Sequence, residues 1–235
     1  MPLIPTGPEY EVHQTTKKIR GSYKLYQKLE LTTTTGAIDV EIDPQPGDLP
    51  AILTLASSTG RITLRLSSEY LNRQHRAARP IHTRIRSITG TVDATILLGH
   101  GGYAFVDTST GSQVLSIVSS GIGQHDELSN LTTHSRTGAQ KVTFVSLDGA
   151  YEPITNLRAE HRSLATGSLD IVYPSVWLGK VHATASLLGH LGVQGDDLKF
   201  IKQAKHEIIA YRGPVKNRQT VEVISDGTGR VNFKC

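Results

Sequence analysis

One cysteine, one methionine and one tryptophan occur in 235 residues, and aromatic side chains make up 6% of the chain. With Cys235 alone, no disulfide can form within the chain, so packing must supply the stability. The single thiol, and a start (Met1-Pro2-Leu3-Ile4-Pro5) with no apolar core of signal-peptide length, point to a reducing, cytoplasmic setting. No stretch reaches the ~20 apolar residues that a bilayer-crossing helix requires. The scarcity of aromatic rings demands an aliphatic core. An excess of one charge is lacking too: the net charge of +4 is mildly basic, which permits acidic partners without requiring them.

Several chemical signatures are missing as well. There is no phosphate-cradling Gly-x-x-x-x-Gly-Lys-Ser/Thr loop, no Gly-x-Ser-x-Gly elbow and no paired-cysteine zinc motif. Gly121-Ile122-Gly123 runs into Gln124-His125-Asp126, so the dinucleotide fingerprint fails. His82, His134, His161 and His182 lack metal-binding spacing and are expected to be solvated or locally hydrogen bonded. Neither a cofactor nor a metal is expected.

What the chain does have is a repeated Thr-Gly, at Thr35-Gly36, Thr59-Gly60, Thr89-Gly90, Thr110-Gly111, Thr137-Gly138, Thr166-Gly167 and Thr228-Gly229. The second, fourth and sixth residues after each glycine are mostly apolar. The fourth is the strictest: Val40, Leu64, Ala94, Leu115, Val142, Ile171 and Phe233. Period-two burial marks a strand with one face in the core. Before the glycine the apolar residues fall on odd positions, such as Leu29 and Leu31 or Leu53 and Leu55. That change of parity bends the chain at each Thr-Gly, because an unbroken strand would keep its phase. Successive glycines from Gly36 to Gly167 stand 21 to 30 residues apart, so length varies only in the connections, as repeat folds allow. An extra residue near Ala165 predicts a bulge.

Two all-β architectures fit. In a β-solenoid of about eight units, equal positions stack from coil to coil. In an antiparallel meander or β-sandwich, each Thr-Gly is a hairpin tip. The near-identical columns favour the solenoid. Residues 1–18, polar with three prolines, are expected to form a flexible N-terminal arm. Residues 19–235 then make a single β-repeat domain. After Gly195 the repeat loosens, and 195–235 is expected to cap the open end of the stack, with Val221–Cys235 as a hairpin-like unit. Glu69–Gln74 predicts a short helix.

The segment Leu29-Glu30-Leu31-Thr32-Thr33-Thr34-Thr35-Gly36-Ala37-Ile38-Asp39-Val40-Glu41-Ile42 resembles the repeat of an adhesin-like family of bacteria and filamentous fungi. The likeness returns in Ile52–Leu66, and Trp177-Leu178-Gly179-Lys180-Val181 resembles a stretch ahead of a late repeat in fungal members. The resemblance covers about Leu25–Gly213. It implies a β-solenoid-like fold and supplies no catalytic residues.

Candidate sites lie in the connections. His100-Gly101-Gly102-Tyr103, Gly121–Glu127, Asp148–Glu152 and Tyr173–Trp177 would meet at one end if coils stack. His100, His125 and Asp126 are candidates for acid–base chemistry, because an imidazole titrating near neutrality beside a carboxylate can act as a general base. Tyr103, Glu127, Tyr151 and Trp177 are candidates to line a ligand pocket. Arg73, Arg76 and Arg79 stand in the densest positive run, which lacks acidic residues and could hold an anion. That run has no interleaved aromatic side chains, so nucleic acid is not expected. The leading functional expectation is a non-enzymatic binding or structural module for a protein or carbohydrate partner. The alternative is an enzyme acting on a small molecule through the His/Asp loop cluster.

Overall fold

A computed structural model describes residues 3–4, 8–72, 79–146, 153–214 and 219–235. The strands begin with β1 (Leu3–Ile4), β2 (Glu9–Gln14), β3 (Ile19–Leu25), β4 (Lys28–Thr33), β5 (Ile38–Pro44), β6 (Ala51–Thr59) and β7 (Ile62–Leu66). A short helix, α1 (Ser68–Asn72), precedes β8 (Ile81–Thr89), β9 (Val92–Leu98), β10 (Tyr103–Thr110), β11 (Gln113–Ser119), β12 (Ser129–Thr137) and β13 (Gln140–Ser146). The chain continues through β14 (Leu157–Thr166), β15 (Leu169–Val172), β16 (Gly179–Ala185) and β17 (His190–Gln194). It ends with β18 (Lys199–Ala204), β19 (Glu207–Arg212), β20 (Thr220–Ser225) and β21 (Arg230–Lys234).

Nearly all of this is β, and the strands form two sheets. Odd-numbered strands from β1 to β15 lie side by side in chain order, continued by β21 and β17. Even-numbered strands from β2 to β14 do the same in the other sheet, continued by β20, β16, β19 and β18. The named pairs are parallel except β16–β19 and β18–β19. Each Thr-Gly therefore carries the chain from the even sheet into the odd one. The strands flanking it never pair, so the antiparallel meander with hairpin tips does not describe this chain.

The glycine column has a direct steric cause. A Cβ on Gly60 would stand 2.2 Å from the carbonyl oxygen of Gly36, and one on Gly90 would stand 2.2 Å from that of Gly60. Gly111 and Gly138 repeat the relation at 2.0 and 2.2 Å, and φ at these four lies between 133° and 153°. A side chain would need space that the previous turn's backbone already occupies. Three residues earlier a hydroxyl finishes the turn. The Gly36 amide donates to Thr33 Oγ1, Ser57 Oγ donates to the Gly36 carbonyl, and Ser135 Oγ donates to the Gly138 carbonyl.

The apolar columns stack as read. Val40, Leu64, Ala94, Leu115, Val142, Ile171 and Phe233 pair strand to strand in register, and all are buried. They belong to one apolar cluster running from Ile19 to Phe233. The expected bulge is present: Ser135 faces Ser163, but Thr137 faces Thr166. Ser67 Oγ accepts the Tyr70 amide and starts α1, close to the predicted helix.

Two expectations change. Glu9–Gln14 is a strand paired along β4, not part of a flexible arm, and Tyr10 and Val12 pack against the core. Nor does all of 195–235 cap the stack. β20 enters between β14 and β16, and β21 between β15 and β17, so these two are neither a hairpin nor an end. Val221, Val223, Val231 and Phe233 fill the same inward slots as the other units, in register with β14 and β15 on one side and β16 and β17 on the other. Only β19 and β18 extend past the last shared layer.

Candidate functional site

Backbone hydrogen bonds join the connection loops at His100, at Gly121–Glu127 and at Ile154–Asn156, while Asp148–Glu152 lies outside the described residues. The His100 amide donates to the Gly121 carbonyl at 2.9 Å, and the Ile122 carbonyl accepts from Thr155 and Asn156. The His100 ring covers Gly121 so closely that a Cβ there would lie 2.0 Å from it, and Glu127 covers Gly101 in the same way. Asp126 turns inward on its own loop: its carboxylate accepts the Gly123 amide at 2.6 Å, and its carbonyl accepts the Asn156 side chain. His125 is exposed. Among the described residues no carboxylate lies within hydrogen-bonding distance of either His100 or His125. The cavity beside His100, bounded by Tyr70, Arg79 and Ser120, is about 10 Å³, which is room for one water at most. No three His, Cys, Asp or Glu side chains among the described residues form a metal-binding group.

Other sequence candidates are placed differently. Trp177 is 0% exposed and packs against Tyr173 and Phe233, with ring centroids 5.6 Å away in each case. It is a core residue, because a bridge between Trp177 and Ile154 draws the loop inward, and it cannot line an open pocket. Arg79 is 6% exposed, and its Nη1 donates to the Gln45 carbonyl at 3.0 Å. Burial lowers its pKa, opposed by Asp48, so Arg79 is a buried strut under the 45–48 connection and not part of a solvent-facing anion patch. Arg73, Arg76 and Tyr151 lie outside the described residues. His161 is fully buried and locally hydrogen bonded, to Thr133 and Tyr173, the second of the two settings expected for the strand histidines.

Tyr103 leads to a different surface. It is 40% exposed on the outward face of β10, with its ring 4.6 Å from that of His82 on β8. Two residues along, Phe105 faces outward beside it. The Arg84 guanidinium stands 5.7 Å from the Phe105 ring centroid, and His134 on β12 meets that ring edge-on at 5.7 Å. Register fixes the arrangement: Tyr103 lies between His82 and Asn130, and Phe105 between Arg84 and Thr132. Arg84, Tyr103, Phe105, Asn130 and Thr132 bound a cleft of about 490 Å³. Burial lowers the pKa of His82 and so favours its neutral form under the tyrosine ring. A polar groove of about 630 Å³ lies farther along this sheet, with Thr32, Ala56 and Ser58 among its lining and Arg86 and Asp107 at 3.6 Å beside them.

Sequence reasoning found Tyr103 but missed Phe105, His82 and Arg84 as its neighbours. A signal existed. Counted back from their own glycines, His82, Tyr103 and Asn130 share one position, and Arg84, Phe105 and Thr132 share the next outward one.

No family model matches the chain, and neither a curated protein nor a solved structure does. Among the described residues no helix is long and apolar enough to cross a membrane.

Proposed function

We propose that this protein is a non-enzymatic binding module on a β-solenoid scaffold, and that it holds a carbohydrate on the outward face of β8, β10 and β12. The observation that carries this reading is the side-by-side pair of outward rings, Tyr103 and Phe105, framed by Arg84, Asn130 and Thr132. A sugar ring offers C–H faces that pack on aromatic rings and hydroxyls that need donors and acceptors, and this surface supplies both. The solenoid is supported by the alternation of successive strands between two parallel sheets and by the stacking of equal repeat positions. The likeness of the repeat to adhesin-like sequences favours the same kind of role, an exposed recognition face on a rigid body.

Acid–base catalysis by His100, His125 and Asp126 has weaker support, since Asp126 is engaged by the Gly123 amide and the neighbouring cavity is too small for a substrate.

Affinity electrophoresis through gels containing different soluble polysaccharides tests the proposal. At least one polysaccharide slows the wild-type protein, and Phe105→Ala removes the retardation. Equal mobility in every gel, or retardation unchanged by Phe105→Ala, defeats it.

A further inference from the structure

Among the described residues both sheets end in strands with an open side. The even sheet ends in β2 and β18, and the odd sheet in β1 and β17. Unpaired edges are templates for further pairing, and proteins commonly guard them with charge. Here the two guards have opposite sign. β2 carries Glu9 and Glu11, whereas β18 carries Lys199 and Lys202. Among the described residues Glu9 and Lys199 have no ion-pair partner, while Glu11 contacts Lys28 and Lys202 contacts Glu207.

Strand direction adds a second argument. β19 runs antiparallel to β16, and β18 runs antiparallel to β19. The reversal is undone at β18, which points the same way as β16 and, through the parallel ladder, as β2. A second copy displaced along the stacking direction therefore presents its β2 parallel to β18, as a continuation of the sheet.

The ends are also stepped. Beyond β16 the even sheet continues through β19 and β18, while the odd sheet stops at β17. On β19 the inward Ile208 and Ala210 are still buried, whereas every residue of β18 is exposed. Phe200, 44% exposed, is in register with the fully buried Ala210, and Ile201 beside it is 59% exposed. At the opposite end the odd sheet projects instead, with β1 lying beyond β3.

We propose that copies of this chain associate head to tail, β18 of one molecule adding to β2 of the next. Such a contact is heterologous and need not close, so it builds linear assemblies. Like edges repel, which disfavours symmetric dimers through β18–β18 or β2–β2.

Sedimentation velocity over a range of protein concentration and salt tests this. The wild-type protein is expected to exceed its 25.5 kDa monomer mass as concentration rises, and to return toward it as salt rises. Glu9→Lys/Glu11→Lys and Lys199→Glu/Lys202→Glu should each be monomeric alone, with at least a tenfold weaker self-association. An equimolar mixture of the two should associate again, because each then offers the edge the other needs. Ile201→Pro is a second probe. Ile201 is skipped in the β18–β19 register, so proline there spares that pairing while obstructing the outer edge. Far-UV circular dichroism checks that each variant is folded. A constant monomer mass for the wild type overturns the proposal, as does association that survives both double variants and Ile201→Pro, or a mixture of the double variants that stays monomeric.

Discussion

The imidazole of His161, sealed inside the core, stands with Nε2 3.2 Å from the Tyr173 hydroxyl and Nδ1 2.8 Å from Thr133 Oγ1. Thr133 in turn donates to Gln140 Oε1, and Gln140 Nε2 donates to the Arg162 carbonyl. One proton arrangement satisfies the whole chain: Tyr173 donates to Nε2, and Nδ1–H donates to Thr133. That arrangement requires a neutral ring. Burial pushes the His161 pKa down to about 3 and raises that of Tyr173.

Stability should consequently depend on pH in a defined window. Above about pH 6.5 both the folded and unfolded rings are neutral and His161 contributes no slope. As pH falls from there toward 3, the unfolded ring takes up a proton that the folded ring refuses, and stability drops by about 1.4 kcal/mol per pH unit. Urea unfolding at pH 7.5, 6.5, 5.5 and 4.5 measures this. His161→Leu should remove about one proton's worth of slope, whatever it does to stability at pH 7.5. An unchanged slope contradicts the assignment.

The glycine ladder makes its own prediction. Gly90→Ala places a Cβ against the Gly60 carbonyl at a φ of 147°, and should cost about 2 kcal/mol or more. Gly192→Ala meets only the Asn232 side-chain oxygen at 3.3 Å and the Val231 carbonyl at 3.8 Å, without a strained φ, and should change stability by less than about 1 kcal/mol. Thermal unfolding of the two variants separates a steric column from a merely habitual turn residue.

Arg79→Ala distinguishes a strut from an anion site. Loss of the bond to Gln45 and of the buried side chain should lower stability by about 2 kcal/mol. Retention on heparin should stay the same. Reduced retention at unchanged stability would return Arg79 to the surface role.

The strand columns and the bulge were legible because each repeat carries its own phase marker. Glycine resets the period-two pattern, so Val40 and Phe233 can be matched from opposite ends of the chain. The place of β20 and β21 was not legible. Val221 and Phe233 meet the same slots as any other unit, and local pattern carries no stacking order. Trp177 was misplaced because an aromatic residue in a loop reads as rim, whereas the bridge to Ile154 that buries it joins residues far apart in sequence. Of the candidate surface, Tyr103 was visible alone. Its setting arises only when His82, Phe105 and Asn130 are aligned on their glycines, which compares outward positions between units instead of neighbours along one strand.

The most direct measurement is an amide-resolved NMR titration of the protein with the polysaccharide fragment that retards it best. A carbohydrate held on the outward face of β8, β10 and β12 should concentrate shifts at 82–86, 103–107 and 130–134, and Tyr103→Ala/Phe105→Ala should abolish them. Shifts centred on 120–128, with the residues around Tyr103 silent, would contradict that placement and move the site to the connection loops.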